Sequence, residues 1–183
     1  MCFGELHRLR VCTEGDKWFD KQQSVRYNEK KKWKGIQMEG IRIYEMPDCK
    51  MVSSGIGMFG QEKFAHFEEW FSSQPRSMFP KDYLFWDGAA EGFCWVYLYE
   101  DGMTVPDGFD IIDFKGGLYA VATGIDGQSG EEEKAAIRAF VESHGFIIDC
   151  SRPELGNCIT PPAATDALGY VQMDYYIPIQ VKG

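Results

Sequence analysis

The side chains of this chain with the clearest chemical potential sit in two stretches that alternate like β-strands. In FCWVYLYED, Phe93 to Asp101, Trp95, Tyr97 and Tyr99 form one row and Cys94, Val96 and Leu98 the other, because successive strand residues point to opposite faces. In VQMDYYIPIQVK, near the C-terminus, Asp174, Tyr176, Pro178 and Gln180 share one face, and Met173, Tyr175, Ile177, Ile179 and Val181 the other. A carboxylate among aromatic rings suits flat, lipophilic, cationic molecules. Each ring face attracts a cation by about 0.5 to 2 kcal/mol, and a partly buried carboxylate adds charge pairing. The expected ligand contacts are Trp95, Tyr97, Tyr99, Asp174 and Tyr176, with Tyr119, Trp86 and Tyr83 as further lining. Against this stands plain packing, since aromatic residues are favoured in strands by packing alone.

Other chemistries have less support. Ser53 and Ser54 precede Gly55, but no G-x-S-x-G surrounds them. His66 falls between Phe64 and Phe67, His144 near a helix C-terminus where a cation is favoured, and His7 in a polar arm. Each reads as structural. FKGG and GIDGQSG lack the spacing of a phosphate loop, so no cofactor is expected. The six cysteines, Cys2, Cys12, Cys49, Cys94, Cys150 and Cys158, show no C-x-x-C and no histidines at zinc spacing. They read as free thiols, with no metal site. Carboxylates are then the candidate catalysts: Asp174 on its strand, Glu91 in the GAAEG turn, or Glu100. Any of them could activate a water as a general base.

Composition narrows the partners. At 183 residues and 44% hydrophobic, the chain can bury a real core. A formal net charge of −9 opposes binding to a phosphate backbone, including single strands stacked on sheet aromatics. The one basic run, YNEKKKWKG at 27–35, reads as a solvated linker. No window holds about 18 apolar residues and the N-terminus has scattered charges, so the expected location is cytoplasmic, without membrane association.

These residues must be held by a frame, and the order of elements indicates which. Residues 1–38 are polar and without sustained period, an arm or linker ahead of a domain at 39–183. IRIYEM and KMVSSGIGMFG read as extended segments broken at Pro47-Asp48. QEKFAHFEEWFSSQ follows as a helix with Phe64, Phe67 and Phe71 on one stripe. YLFWDG and FCWVYLYED are strands about a turn. The order then returns: FDIIDFKGGLYAVATGI as extended segments broken at Gly116-Gly117, GEEEKAAIRAFVESHGF as helix with Ile137, Phe140, Val141 and His144 on its stripe, ELGNCITPP as a loop, and the final strand. This predicts an α+β fold of two strand-helix-strand-strand repeats, about 41–101 and 109–182, related by a pseudo-twofold. Antiparallel sheets would carry helices on one face, leaving a ligand cleft between the repeats. An exposed edge strand could also pair two copies as a homodimer.

The segment YVQMDYYIPIQVK, with Asp174, Tyr176, Ile177, Pro178 and Ile179, resembles the final strand of the GyrI-like, or AraC-type, effector-binding domains. MPDCKMVSSGIGMFG, FAHFEEWF and FKGGLYAVATGI are similar to that family more loosely, so the resemblance spans about 41–182. It implies a cleft for lipophilic, often cationic, small molecules, as in the effector domains of multidrug-responsive transcription regulators. Some stand-alone members hydrolyse cyclopropane-bearing DNA-alkylating compounds with a cleft carboxylate. The family's usual acid is Glu, and this chain carries Asp174 instead. About 40 residues precede the domain, too few for a two-motif helical DNA reader, so the expectation is a stand-alone drug-binding or sequestering protein. The alternative is a hydrolase of the cyclopropane-opening kind.

Overall fold

The structure, a computed structural model, describes residues 40–183. The arm expected over residues 1–38, with its basic run, lies outside the described residues. Nine strands and three helices follow in the order β1 (Arg42–Met46), β2 (Cys49–Gly57), α1 (Glu62–Ser72), β3 (Asp82–Asp87), β4 (Gly92–Leu98), β5 (Asp110–Phe114), β6 (Gly117–Ile125), α2 (Glu131–Ser143), β7 (Phe146–Ile148), β8 (Leu155–Cys158), α3 (Pro162–Leu168) and β9 (Gln172–Val181). The strands form one antiparallel sheet, β1-β6-β9-β8-β3-β4-β2-β5, with β7 on β9.

That order is a palindrome of architecture. β2-α1-β3-β4 and β6-α2-β8-β9 are the two repeats, and the strand ahead of each pairs with the first strand of the other: β1 with β6, β5 with β2. The α+β, two-repeat fold read from the sequence is the fold observed. The halves join through the single β3–β8 pair Leu84↔Gly156, so the sheet has a narrow seam at its middle.

α1 and α2 each cover one half-sheet for the reason their spacing gives. α1 buries Phe64, Phe67 and Trp70, one stripe at three-residue steps. α2 buries Ile137 and Val141, whereas Phe140 is half-buried and His144 is exposed at the end of the stripe. Three acids in the first turn of α2 suit its positive end. Gly130 enters α2 at φ 66° with the Tyr175 ring so close that a Cβ would lie 2.5 Å from it. No other residue meets both conditions without strain.

The stretch ELGNCITPP departs from expectation. Instead of a loop it supplies β8, a four-residue strand on β9, and the Pro-led start of α3. Gly156 and Asn157 are poor strand formers; β9 beside them provides the ladder that makes them a strand. No helix among the described residues is long and apolar enough to cross a membrane.

Three apolar clusters result. One lies under α1, with Val52, Phe67, Trp70 and Tyr97 joined by Phe71, Trp95 and Tyr99. A second lies under α2, with Ala120, Ala122, Ile137, Val141, Tyr175, Ile177 and Ile179. The third occupies the opposite, inner face and draws on both repeats: Met51, Cys94 and Val96 from the first, and Phe114, Tyr119, Val121, Leu155 and Tyr176 from the second.

Candidate functional site: a tyrosine cluster over a buried acid

β9 is centred in its half-sheet, between β6 and β8. Its alternation therefore sends Tyr175, Ile177 and Ile179 to α2 and Tyr176 to the inner face, as the sequence indicates. Three other tyrosines surround Tyr176. Tyr83 lies edge-on at 5.6 Å between ring centroids, Tyr119 edge-on at 6.3 Å, and Tyr44 tilted at 6.3 Å. Edge-to-face rings at such distances add about 0.5 to 1.5 kcal/mol per pair beyond burial. Tyr119 and Tyr176 are buried, whereas Tyr44 is 40% exposed. The cluster thus runs from the inner core to solvent.

Asp174, only 3% exposed, lies two residues before Tyr176 on the same strand. Its Oδ1 accepts hydrogen bonds from Thr123 Oγ1 at 2.6 Å and from Arg42 Nη2 at 2.5 Å. Register explains the meeting. Thr123 is the direct β6 partner of Asp174, and β1, on the other side of β6, sets Arg42 opposite Val121. Arg42 also donates from Nη2 to Thr123 Oγ1 at 2.8 Å and from Nη1 to Tyr44 Oη at 3.1 Å. Its guanidinium lies 5.5 Å from the Tyr44 ring centre. The result is a chain of acid, hydroxyl, guanidinium and phenol.

The electrostatics follow from burial. Partial burial works against the Arg42 charge, but the bonds and attraction from Asp174 outweigh it and hold the guanidinium above its ordinary value. Burial, with Tyr83 and Asp174 nearby, pushes the Tyr176 phenol far up. Burial likewise raises Tyr83 and Tyr119. These phenols are therefore neutral throughout the physiological range. At the far end of the cluster, the Arg152 guanidinium lies 4.6 Å from the Tyr119 ring centre. It is tied to Asp149 and to the carbonyls of Leu118 and Ile179. Arg152 Nη1 and Tyr119 Oη are buried without a hydrogen-bond partner among the described residues.

Of the residues anticipated from sequence, Asp174, Tyr176, Tyr119 and Tyr83 come together on the inner face. The aromatic row of β4 does not join them. Trp95, Tyr97 and Tyr99 belong to the cluster under α1, where Trp95 packs 5.0 Å from Phe71 and Tyr97 stacks on Phe71 at 5.7 Å. Trp95 Nε1 donates to Asp82 Oδ2 there. The row facing inward is Cys94 and Val96, so the face assignment read from alternation is corrected. The reason is volume: the small Cys94 and Val96 side chains pack with the Tyr119 and Tyr176 rings of the other repeat, while the Trp95 and Tyr97 rings pack against Phe67, Trp70 and Phe71 of α1. Trp86 stands two strand positions from Leu84, the partner of Trp95, and packs at 4.9 Å against Phe93 while half exposed. Glu91 is exposed at φ 50° in the β3–β4 turn, and Glu100 is exposed and paired with Lys81 at 2.8 Å. Neither takes part in the bonds around Asp174.

Arg42, Tyr44 and Thr123 escaped sequence reasoning. RIYEM alternates so that Arg42 and Tyr44 share a face, and that signal was legible. Its pairing across to β6 was not. A recess of about 470 Å³ opens elsewhere, at the β2–β5 edge, lined by Asp48, Cys49, Lys50, Asp113, Phe114 and Lys115. None of the tyrosine cluster lines it. Among the described residues no three His, Cys, Asp or Glu side chains gather as metal ligands, and Cys49, Cys94, Cys150 and Cys158 are free thiols.

No protein-family model matches the chain, and no curated protein matches it. Solved structures do match. A crystal structure of a hydrolase from Listeria innocua superposes with a TM-score of 0.58 at 12% identity, covering 88% of this chain and 98% of the other. An uncharacterized conserved protein from Listeria innocua gives 0.55 at 13% identity with the same coverage. The EcmrR C-terminal domain gives 0.53 at 9% identity, covering 77% of this chain and 97% of its own. The chain has their fold. Identities this low speak for architecture alone, so the chemistry rests on the residues described above.

Proposed function

We propose that this protein is a GyrI-like effector-binding domain that holds lipophilic aromatic small molecules, cations among them, at the Tyr176 cluster beside Asp174. The observation that carries this reading is the arrangement around Tyr176: Tyr83 and Tyr119 edge-on and Tyr44 tilted against it, reaching solvent at Tyr44, with a carboxylate two residues away. Rings bury large apolar area at low entropic cost, and their hydroxyls offer orientation without charge. Such a surface selects a flat guest by shape and polarity, as a sensor or sequestering protein requires. The final-strand resemblance at Asp174 to Ile179 and the fold shared with the EcmrR C-terminal domain support the same reading.

Isothermal titration calorimetry with acridine, a flat lipophilic probe, tests it. One site per chain is expected, weakened about tenfold or more in Tyr44→Ala, a loss of about 1.4 kcal/mol. Absence of saturable heat, or equal affinity in the variant, would count against the site. Opening of a cyclopropane-bearing alkylator is the second reading, favoured by a buried carboxylate whose bonded partner Arg42 is part-exposed. In that case Asp174 must release Arg42 to hold a water, and mass spectrometry would show product heavier by one water.

A further inference from the structure

We propose that Arg42 is a resident cation of this site: its guanidinium occupies the position that a cationic guest would take at Asp174, and it thereby sets the charge selectivity of the protein. The inference rests on the ligand site proposed above and adds to it the group that decides between charged and uncharged ligands.

Three observations carry it. Asp174 is almost wholly buried, and its Oδ1 is already bonded to Arg42 and Thr123. Arg42 also lies against the face of Tyr44 and bonds its hydroxyl, so it engages both the acid and an aromatic ring. These are the two contacts by which such a site would recognise an aromatic cation. Finally, the Arg42 side chain is 37% exposed against 4% for that of Asp174, so the guanidinium can swing into water while the acid stays in place.

The competition this sets up is intramolecular. Arg42 stands on a strand laddered to β6, which keeps its effective concentration at the acid high whatever the ligand concentration. A cationic guest gains the carboxylate only by giving water back a guanidinium, and meets like charge if Arg42 remains. An uncharged ring of the same shape stacks on the tyrosines without that exchange. Arginine suits the resident role through its planar fork and permanent charge. The buried cation at the other end, Arg152, is tied to Asp149 and backbone carbonyls, so it leaves the Asp174 end to Arg42.

The test compares 9-aminoacridine, a planar cation at neutral pH, with acridine, its largely uncharged parent, by probe fluorescence. Wild type should bind the two within about threefold, and Arg42→Gln should tighten 9-aminoacridine by about tenfold or more while moving acridine less than about threefold. The double variant Arg42→Gln, Asp174→Asn should lose that gain. Acridine binding with an unchanged or weakened 9-aminoacridine affinity in Arg42→Gln would overturn the resident-cation role alone, as would a gain that survives in the double variant. Binding of neither probe to any of these proteins would overturn the ligand site, and this inference with it. In wild type, independently of how the variants fold, the Arg42 side-chain ¹⁵N signal should shift further with 9-aminoacridine than with acridine, which meets Arg42 only through Tyr44. A signal indifferent to the cation while that cation binds would refute displacement.

Discussion

At the scale of single residues, how each charge is held decides what the site can bind. The Arg42–Asp174 pair joins one buried and one partly exposed side chain. Removing one partner of a fully buried pair costs about 3–5 kcal/mol, and solvent access to Arg42 discounts this to about 1–2 kcal/mol for Asp174→Asn, measured by urea denaturation. No loss would mean that the pair contributes nothing to the fold. Asp149 provides a pH-dependent counterpart. Hydrogen bonds from Ser151 and then Arg152 lower its carboxyl from 3.8 to about 2. A depressed acid contributes stability that is present above its unfolded value and is lost as pH falls through its folded one. Wild type should therefore lose stability between about pH 4 and 2 in a phase that Asp149→Asn lacks, and identical acid limbs would contradict this.

At the scale of elements, β4 separates structure from function. Trp95 packs against Phe59, Phe64, Phe67 and Phe71, so Trp95→Ala should destabilise the fold by about 3 kcal/mol, in the range for large aromatic truncations. Tyr44, exposed on β1, should cost less than about 1 kcal/mol on truncation. Val96→Asp should abolish folding, because its position is 0% exposed in the inner cluster and offers no partner for a charge. Thermal melts that rank Tyr44→Ala below Trp95→Ala would invert the assignment. Most of the elements were legible: α1 and α2 follow from their three- and four-residue apolar steps, and β9 from its alternation. The side to which β4 sends its rings was not. Alternation fixes that Trp95 and Val96 oppose each other, but both rows are apolar, and parity carries no sign when neither face is polar. The tyrosines arriving from β3, β6 and β9 decide it, and two of them, Tyr119 and Tyr176, are distant in sequence. β8 was illegible for a related reason, being a strand by virtue of its neighbour rather than its own residues.

At the scale of the whole molecule, the paired exchange of β1 and β5 between repeats builds the site. The repeat order could be read along the chain, yet the exchange brings Arg42 and Tyr44 to β6 and so adds residues that neither repeat shows alone. The inner tyrosines also link the fold to pH. Burial raises Tyr83, Tyr119 and Tyr176 above the unfolded value of 10.0. Their contribution is full below pH 10 and declines as pH rises toward the folded values, since the unfolded chain ionises first. Phenolate absorbance and circular dichroism should therefore change together, above pH 10. Phenolate formation by these tyrosines in a fully folded protein near pH 10 would show that they are not buried.

The central claim is that the ligand surface is the inner tyrosine cluster and not the aromatic row of β4. Fluorescence polarisation of a flat lipophilic dye, titrated with wild type, Tyr44→Ala and Trp95→Ala at a temperature where all three are folded, tests it most directly. Saturable binding is expected for wild type and Trp95→Ala with affinities within about threefold, and a loss of about tenfold or more for Tyr44→Ala. Binding lost in Trp95→Ala and kept in Tyr44→Ala would place the ligand under α1 and contradict the account.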